Sequence, residues 1–271
     1  MISQEPKDGT SSQKATSGTA LLLILFLGSQ FQTAYAEPVE INTLRNQYQD
    51  ALSIEKRGKR VEEFTKVMNG FESLTQKYPY AVELYVDMGI AALGAAELGT
   101  ARYAFEKAKH LQPRSSRAKQ NISWIETQLP EWTRSSSNTS TLHRFLFWSS
   151  IFNLAEQLLI SGLFFSLAVG MLLWKPKRFQ LFIVTTFLLW SSTVASALLE
   201  YRSPEIAVIQ AEAGPLRSAD NEGAPAVTKE WLPEGSLVKV LNKNNNWTEV
   251  SLFSGSKGWI PNRSLRVIEK E

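Results

Sequence analysis

The sequence predicts a multidomain α + β membrane protein, in which an α-helical domain, a transmembrane helical hairpin and a small all-β domain follow one another. Three observations support this order. Apolar residues recur at helical spacing through residues 41–129, two long apolar stretches lie within residues 154–199, and short alternating runs separated by turn residues follow residue 205. Each part of this 271-residue chain is too short for one large enzyme core.

The two apolar stretches, residues 154–174 and 179–199, are each 21 residues long. At about 1.5 Å per helical residue, each reaches about 30 Å, the thickness of the hydrocarbon core of a bilayer. The connecting residues are Lys175-Pro176-Lys177-Arg178, and their positive charge predicts a cytoplasmic turn. The alternative is a buried hairpin of a soluble helical protein. Glu156, near the outer end of the first span, is interpreted as a helix-start or headgroup-level carboxylate rather than a proton relay.

Residues 1–36 have the features of a signal peptide. Residues 20–28 form an apolar run too short to span a bilayer, and Ala34-Tyr35-Ala36 fits the pattern that precedes cleavage. The alternatives are an uncleaved anchor or an internal translation start. Because export places the mature N-terminus outside and a two-helix hairpin returns the chain to the side from which it entered, both soluble domains are predicted to lie outside, which in a Gram-negative cell is the periplasm.

Residues 37–130 are predicted to form tetratricopeptide repeats, of which the best match covers residues 82–115. The residues that fall in the order and spacing of this repeat are Tyr85, Met88, Gly89, Ala101, Phe105, Ala108 and Pro113. Small residues let paired helices approach closely, and the proline ends the second helix. A weaker repeat is expected over residues 46–78 and a closing helix over residues 115–128. A single match of this kind also occurs in a chance helical hairpin.

The first helix of each repeat is expected to line a partner-binding face. In the best repeat, the predicted contact residues are Glu83, Val86, Ile90 and Leu93. For Val86, packing on the neighbouring helix is an equal alternative. Residues 131–152 are predicted to be a linker, polar at residues 135–141, followed by a juxtamembrane segment.

Residues 203–271 contain several short motifs, which are Leu216-Arg217-Ser218, Leu232-Pro233-Glu234-Gly235-Ser236, Trp247 and Gly258-Trp259-Ile260-Pro261. Through these residues the segment resembles the bacterial SH3-like domain, a small β-barrel. The resemblance implies a groove for peptides or cell-wall material, and flat indole rings suit proline or sugar ligands. The candidate groove residues are Trp231, Trp247 and Trp259. The alternative for these tryptophans is the core of the barrel, most plausible for Trp259.

The order of the segments resembles the BatE-type proteins of bacterial aerotolerance operons over nearly the whole mature chain. Local similarity is carried by Leu98-Gly99-Thr100-Ala101, Phe105-Glu106-Lys107-Ala108, Pro113, Arg117-Ala118, Asn121 and Ala155-Glu156-Gln157. The resemblance implies an inner-membrane, periplasm-facing scaffold of an envelope complex. Its implied partners are von Willebrand factor A-domain membrane proteins and, indirectly, an AAA-type ATPase. Peptidoglycan is a further candidate ligand, and the alternative function is a cell-wall or peptide sensor.

Composition argues against other functional classes. Cysteine is absent, which excludes disulfides and thiolate metal sites. The two histidines, His110 and His143, lie far apart without ligand spacing, so no metal centre or other cofactor is expected. The net charge of +3 and the lack of a long basic run argue against a nucleic-acid partner. Neither a nucleophile with a base and orienting group nor a phosphate-binding loop is recognisable, so an enzyme is not expected.

Overall fold

The computed structural model describes residues 39–135, 151–152, 154–174, 180–210 and 213–269. The predictions for the signal peptide (1–36), for linker and juxtamembrane residues 136–150 and for the basic turn (175–178) lie outside the described residues. The chain divides into two units, residues 1–43 and 44–271. Of the first, residues 39–43 are described, and there Thr43 Oγ1 donates to the carbonyl oxygen of Val39 (2.9 Å).

The described residues form a mixed α + β protein with seven α-helices and five β-strands. Five helices precede the apolar stretches: α1 (Val39–Leu52), α2 (Arg57–Lys77), α3 (Val82–Gly94), α4 (Leu98–Leu111) and α5 (Ser116–Gln128). Connections of only three or four residues separate them, so consecutive helices pack as neighbours. Helix α5 begins with Ser115 as its N-cap, whose hydroxyl accepts from the Ala118 N–H (3.4 Å) and satisfies an otherwise unpaired donor.

Glycine and alanine residues determine how closely these helices approach. A Cβ atom at Gly89 would lie 2.6 Å from Cε1 of Phe105, so the phenyl ring of α4 rests on the backbone of α3. Gly94 meets the Phe64 ring of α2 in the same way. Ala101 and Ala108 on α4 are fully buried. The Gly89–Phe105 contact brings α3 close to α4, and the Gly94–Phe64 contact brings α3 close to α2.

The two apolar helices are α6 (Leu154–Trp174) and α7 (Gln180–Arg202), which pack against each other. Both contain segments long and apolar enough to cross a membrane, Ala155–Leu173 and Gln180–Leu199. Only 17% and 22% of these segments is buried, which distinguishes them from core helices of a soluble domain. Helix α6 coincides with the first predicted span. Helix α7 continues to Arg202, past the predicted end at residue 199, and stops before Pro204, which disfavours a helical residue ahead of it.

Five antiparallel strands follow: β1 (Ile206–Ile209), β2 (Leu237–Asn244), β3 (Trp247–Ser251), β4 (Lys257–Pro261) and β5 (Leu265–Ile268). They form one open sheet in the order β4-β3-β2-β1-β5. Gly235 before β2 and Asn245 between β2 and β3 have positive φ, +83° and 39°, as tight turns require. The sheet's apolar core consists of Ala207, Ile209, Leu216, Leu232, Val238, Val240, Val250, Leu252 and Ile260.

Helix α4 packs against β1 and β5, so the helical domain and the sheet domain are in contact. Gly99 allows the closest approach, because a Cβ there would lie 2.5 Å from the carbonyl oxygen of Ile209. The Gly99 N–H donates to Oε1 of Glu234 (2.6 Å). On the other side, the Arg266 guanidinium pairs with Glu72 (2.7 Å) and lies 3.9 Å from the centre of the Tyr103 ring.

Two further contacts connect the segments around the apolar helices. Trp132, in the short 3₁₀ helix Glu131–Thr133, packs against the core of the sheet domain. The first residues of the predicted linker therefore belong to a packed interface. At the start of α6, Glu156 pairs with Arg114 of the helical domain (2.6 Å), whose guanidinium also lies 5.4 Å from the Phe152 ring centre. This ion pair agrees with the interpretation of Glu156 as a carboxylate near the end of the span.

Candidate interaction surfaces

A groove of about 270 Å³ lies on the helical domain between α1, α3 and α5. The residues that line it are Arg45, Asn46, Tyr48, Gln49, Phe71, Asp87, Ile90 and Arg117. Phe71 and Ile90 contribute apolar surface, while Asn46 and Gln49 contribute amides that both donate and accept hydrogen bonds. The volume lies just below the range of about 300–1,000 Å³ that is usual for small-molecule sites, so the groove suits part of a polypeptide segment.

Asp87 is the electrostatic centre of this groove. Its Oδ2 accepts from Arg45 on α1 (3.0 Å), and its Oδ1 accepts from Arg117 on α5 (3.3 Å). Arg117 also pairs with Oε2 of Glu83 (2.5 Å). One carboxylate thereby holds together the three helices that line the groove. Burial and the Asp87 charge both raise the pKa of the neighbouring Tyr48 phenol, which keeps it protonated as a hydrogen-bond donor.

The four predicted contact residues of α3 occupy different environments. Ile90 lines the groove, and Glu83 is exposed at Arg117. Val86 is fully buried inside the helical stack. It therefore packs on neighbouring helices, which is the alternative to partner contact given above for this residue. Leu93 is half-buried and does not line the groove. The structure therefore brings Ile90 and Glu83 to one surface and separates Val86 and Leu93 from it.

Three charged residues of this groove, Arg45, Asp87 and Arg117, are not predicted from the sequence. One signal was available, because Glu83, Asp87 and Ile90 follow the i, i+4, i+7 spacing of a single helix face. The arginine partners lie 42 and 30 residues from Asp87 along the chain. Their approach depends on how the helices stack, which local spacing does not specify.

A second candidate surface lies on strands β3 and β4. Trp247 and Glu249 alternate along β3 with the buried Thr248 and Val250, so their side chains point to the outer face of the sheet. Trp259 on β4 is directly opposite Glu249 and points the same way. Both indoles are half-buried, so they are neither core residues nor freely exposed.

Trp231 occupies a different position from the other two tryptophans. It precedes Leu232 in the segment before β2, and 61% of its surface is exposed. It lies outside the strands that carry Trp247 and Trp259. Because no strand pairing relates Trp231 to the other two rings, only Trp247 and Trp259 are related to one surface by the register of the sheet.

Among the described residues, no group of three or more histidine, cysteine, aspartate or glutamate side chains is placed to hold a metal ion. The two surfaces instead offer ion pairs, amides, a phenol and indoles, which are groups that bind polypeptide or carbohydrate without covalent chemistry. Comparisons of the chain with protein-family models, with curated proteins and with solved structures gave no match.

Proposed function

We propose that this chain is a scaffold anchored in the bacterial inner membrane, which mediates protein–protein interactions in an envelope complex of the BatE type. Helices α1–α2 and α3–α4 act as two tetratricopeptide repeats closed by α5, and the sheet domain acts as a bacterial SH3-like domain. Both domains face the periplasm. The observation that carries the proposal is the groove between α1, α3 and α5, an open surface with apolar, amide and charged groups.

Helix spacing supports the repeat assignment. Helix α5 begins 34 residues after α3 (116 − 82), which is the period of the tetratricopeptide repeat. The contact of Gly89 with Phe105 and the full burial of Ala101 also support the repeat assignment. The first pair departs from the period, since α3 begins 43 residues after α1 (82 − 39), in keeping with its weaker sequence match.

The groove suits an extended segment of a partner protein. Asn46 and Gln49 are exposed on α1 at i and i+3, so both amides face the groove and can pair with a peptide backbone. A groove of this size gives a modest affinity alone, and anchoring both proteins in one membrane raises their effective concentration. The implied partners are von Willebrand factor A-domain membrane proteins and, through them, an AAA-type ATPase.

A second candidate function is a cell-wall or peptide sensor. The observation that favours it is the outward-facing pair Trp247 and Trp259, with Trp231 exposed nearby in sequence. Peptidoglycan would then be the ligand of the sheet domain. We rank this second, because the groove engages three elements and the tryptophan face only two.

The test of the scaffold role is Ile90→Asp, which places a charge on the apolar part of the groove. We expect the variant to lose co-purification of its membrane partners from detergent extracts while keeping its cooperative melting. Leu93→Asp is the matched control, since Leu93 lies on the same helix and is half-buried outside the groove. Full partner recovery with Ile90→Asp, or equal loss with both folded variants, would show that the groove is not the docking site.

A further inference from the structure

The geometry points to a subsite for a lysine or arginine side chain of a partner protein, formed by Trp247, Glu249 and Trp259 on the outer face of β3 and β4. The inference deepens the proposed scaffold role and rests on it in taking the occupant to be a protein segment. It assigns a class of side chain to a surface separate from the groove of the helical domain.

Sheet register places the three side chains together. Glu249 pairs with Trp259, and Trp247 pairs with Pro261 one outward-facing position further along. Directly opposite residues of antiparallel strands have Cβ atoms about 4.5–5.5 Å apart, and residues i and i+2 of one strand lie about 6.8 Å apart. The carboxylate of Glu249 therefore has one indole beside it and a second indole along its own strand.

Among the residues that the structure describes, the Glu249 carboxylate has no polar partner. It is half-buried, and no hydrogen bond or ion pair reaches it from any described residue. The rings of Trp247 and Trp259 make no contact with each other in the described sheet. A partly desolvated anion thus shares one face of the sheet with an indole on the opposite strand and an indole two residues away on its own strand, an arrangement complementary to a cation.

Neighbouring groups on the same face leave this carboxylate uncompensated. Asn242 is opposite Glu249 on β2 and carries no charge. Arg217 is bridged to the far edge of Trp259 through its backbone, and its guanidinium donates to the carbonyl oxygen of Ala224 (2.9 Å). Along this row of the sheet, Trp259 lies between Arg217 and Glu249, so the guanidinium is not a direct neighbour of the carboxylate.

Two lysines lie on the strands beside Ser251, which is two residues after Glu249 on β3. Lys239 is opposite Ser251 on β2, and Lys257 is opposite it on β4. Lys239 on β2 lies over the Phe253 ring, with its Nζ 4.9 Å from the ring centre. Lys257 on β4 is exposed and is diagonal to Glu249. Within the described part of the chain, Lys257 makes no side-chain hydrogen bond, ion pair or ring contact, so it is an internal competitor of an incoming lysine.

A lysine or arginine from a partner satisfies every group at this site. Its charge compensates Glu249, and its cation lies over the negative faces of the indoles. The sheet domain already uses this chemistry in Arg266 over Tyr103 and Lys239 over Phe253. An anionic side chain is repelled by Glu249, and an apolar one leaves the carboxylate desolvated without compensation.

The test uses the full chain in detergent micelles with ¹⁵N-labelled indoles. Two capped tripeptides are titrated, acetyl-Ala-Lys-Ala-amide and the same peptide with norleucine, which has a similar apolar chain without the charge. We expect the lysine peptide to shift the Trp247 and Trp259 resonances saturably and the norleucine peptide to bind at least about fivefold more weakly. Raising the salt concentration should weaken binding of the lysine peptide by the wild type.

Glu249→Gln should weaken the lysine peptide about fivefold or more, because it keeps the side-chain shape and removes the charge. Glu230→Gln, at an exposed acid of the same domain, is the matched control and should bind like the wild type. Lys257→Gln should tighten binding, since it removes the competitor. Equal binding of both peptides, no effect of salt, or equal affinities of the two glutamine variants would overturn the subsite.

Peptidoglycan fragments are titrated in the same way as a third ligand. If they shift the same two indoles while the lysine peptide does not, the occupant is cell-wall material and the inference is wrong. The titration uses purified protein and needs no co-purified partner. Its failure is therefore distinct from failure of the scaffold role, which Ile90→Asp tests at the groove.

Discussion

Glycines in the helical domain contact large apolar rings, and these contacts explain why glycine is required there. At Gly89 an added Cβ would lie 2.6–2.9 Å from three atoms of the Phe105 ring, which is itself fully buried and has no free space to move into. At Gly58, near the start of α2, an added Cβ would meet nothing within 4 Å. A side chain larger than hydrogen is therefore excluded at Gly89 and has room at Gly58.

Gly89→Ala is expected to destabilise the chain by about 1–3 kcal/mol, because the new methyl group forces α3 and α4 apart. Gly58→Ala is the matched control and should be neutral or stabilising by up to about 1 kcal/mol, since alanine only restricts the unfolded chain there. Chemical denaturation of the full chain in detergent, followed by circular dichroism, measures both. Equal stability of the two variants would show that the Gly89–Phe105 contact does not limit packing.

Arg102 shows how a charged residue is accommodated inside the helical domain. Its side chain is 1% exposed and pairs with Glu106 on α4 (3.0 Å) and with Glu126 on α5. Burial alone would raise the pKa of Glu126, but hydrogen bonds from Ser135 and the Arg102 charge outweigh it and lower the pKa. The same carboxylate thus joins α4, α5 and the segment that carries Trp132.

At the scale of elements, helix α4 receives its N-terminal cap from another domain. Its own N-cap residue, Glu97, makes no side-chain capping hydrogen bond. The Gly99 N–H instead donates to Glu234, which lies 135 residues further along the chain. Burial raises the pKa of Glu234, the Gly99 N–H partly offsets this, and the Glu97 charge adds to it. Contact between the two domains therefore favours the protonated carboxyl.

Glu234→Gln is expected to stabilise the docked domains relative to wild type, increasingly as the pH rises above about 4.5, the usual carboxyl pKa. A group whose pKa is raised on folding contributes stability at low pH that is lost as pH rises through the folded-state pKa. The glutamine oxygen still accepts from Gly99 and does not titrate. Melting temperatures of both proteins between pH 4 and 7 measure this, with Glu230→Gln as control. A difference that does not change with pH would contradict the assigned role.

Local sequence signals predicted the elements well and their long-range contacts poorly. Apolar length predicts α6, the predicted closing helix over residues 115–128 coincides with α5 to within one residue, and alternation predicts strands after residue 205. The Leu98–Thr100 segment carries part of the BatE-type resemblance in the sequence, whereas in the structure it contacts the sheet domain through Glu234 and Gln210. Trp132 was assigned to a linker, because its contact surface comes from strands more than 70 residues later. Such pairings depend on domain docking, which no local pattern encodes.

At the scale of the whole molecule, the contact between the helical and sheet domains constrains how the two apolar helices could cross a membrane. Helix α4 contacts β1 and β5, although α6 and α7 lie between them in the chain. Only Ser203, Pro204 and Glu205 connect α7 to β1, so the sheet domain begins at the end of the second apolar helix. Two domains in contact must lie on one side of a bilayer, which an even number of crossings permits.

The expected topology places both soluble domains in the periplasm and the residue 175–178 turn in the cytoplasm. The chain has no cysteine, so Glu62→Cys on α2, Ser254→Cys after β3 and Lys177→Cys introduce single labelling sites. Residues 62 and 254 are exposed. In intact spheroplasts, we expect a membrane-impermeant maleimide to label positions 62 and 254, and position 177 only after lysis. The physical reason is the basic charge of the turn, which is retained on the cytoplasmic side.

Each alternative labelling pattern contradicts a different step of this reasoning. Labelling of position 177 from outside, with 62 and 254 protected, would reverse the orientation and leave the hairpin and the docked domains intact. Labelling of only one of positions 62 and 254 would place the two domains on opposite sides of the membrane. That result would exclude the Gly99–Glu234 and Arg266–Glu72 contacts within one chain, because each joins the helical domain to the sheet domain.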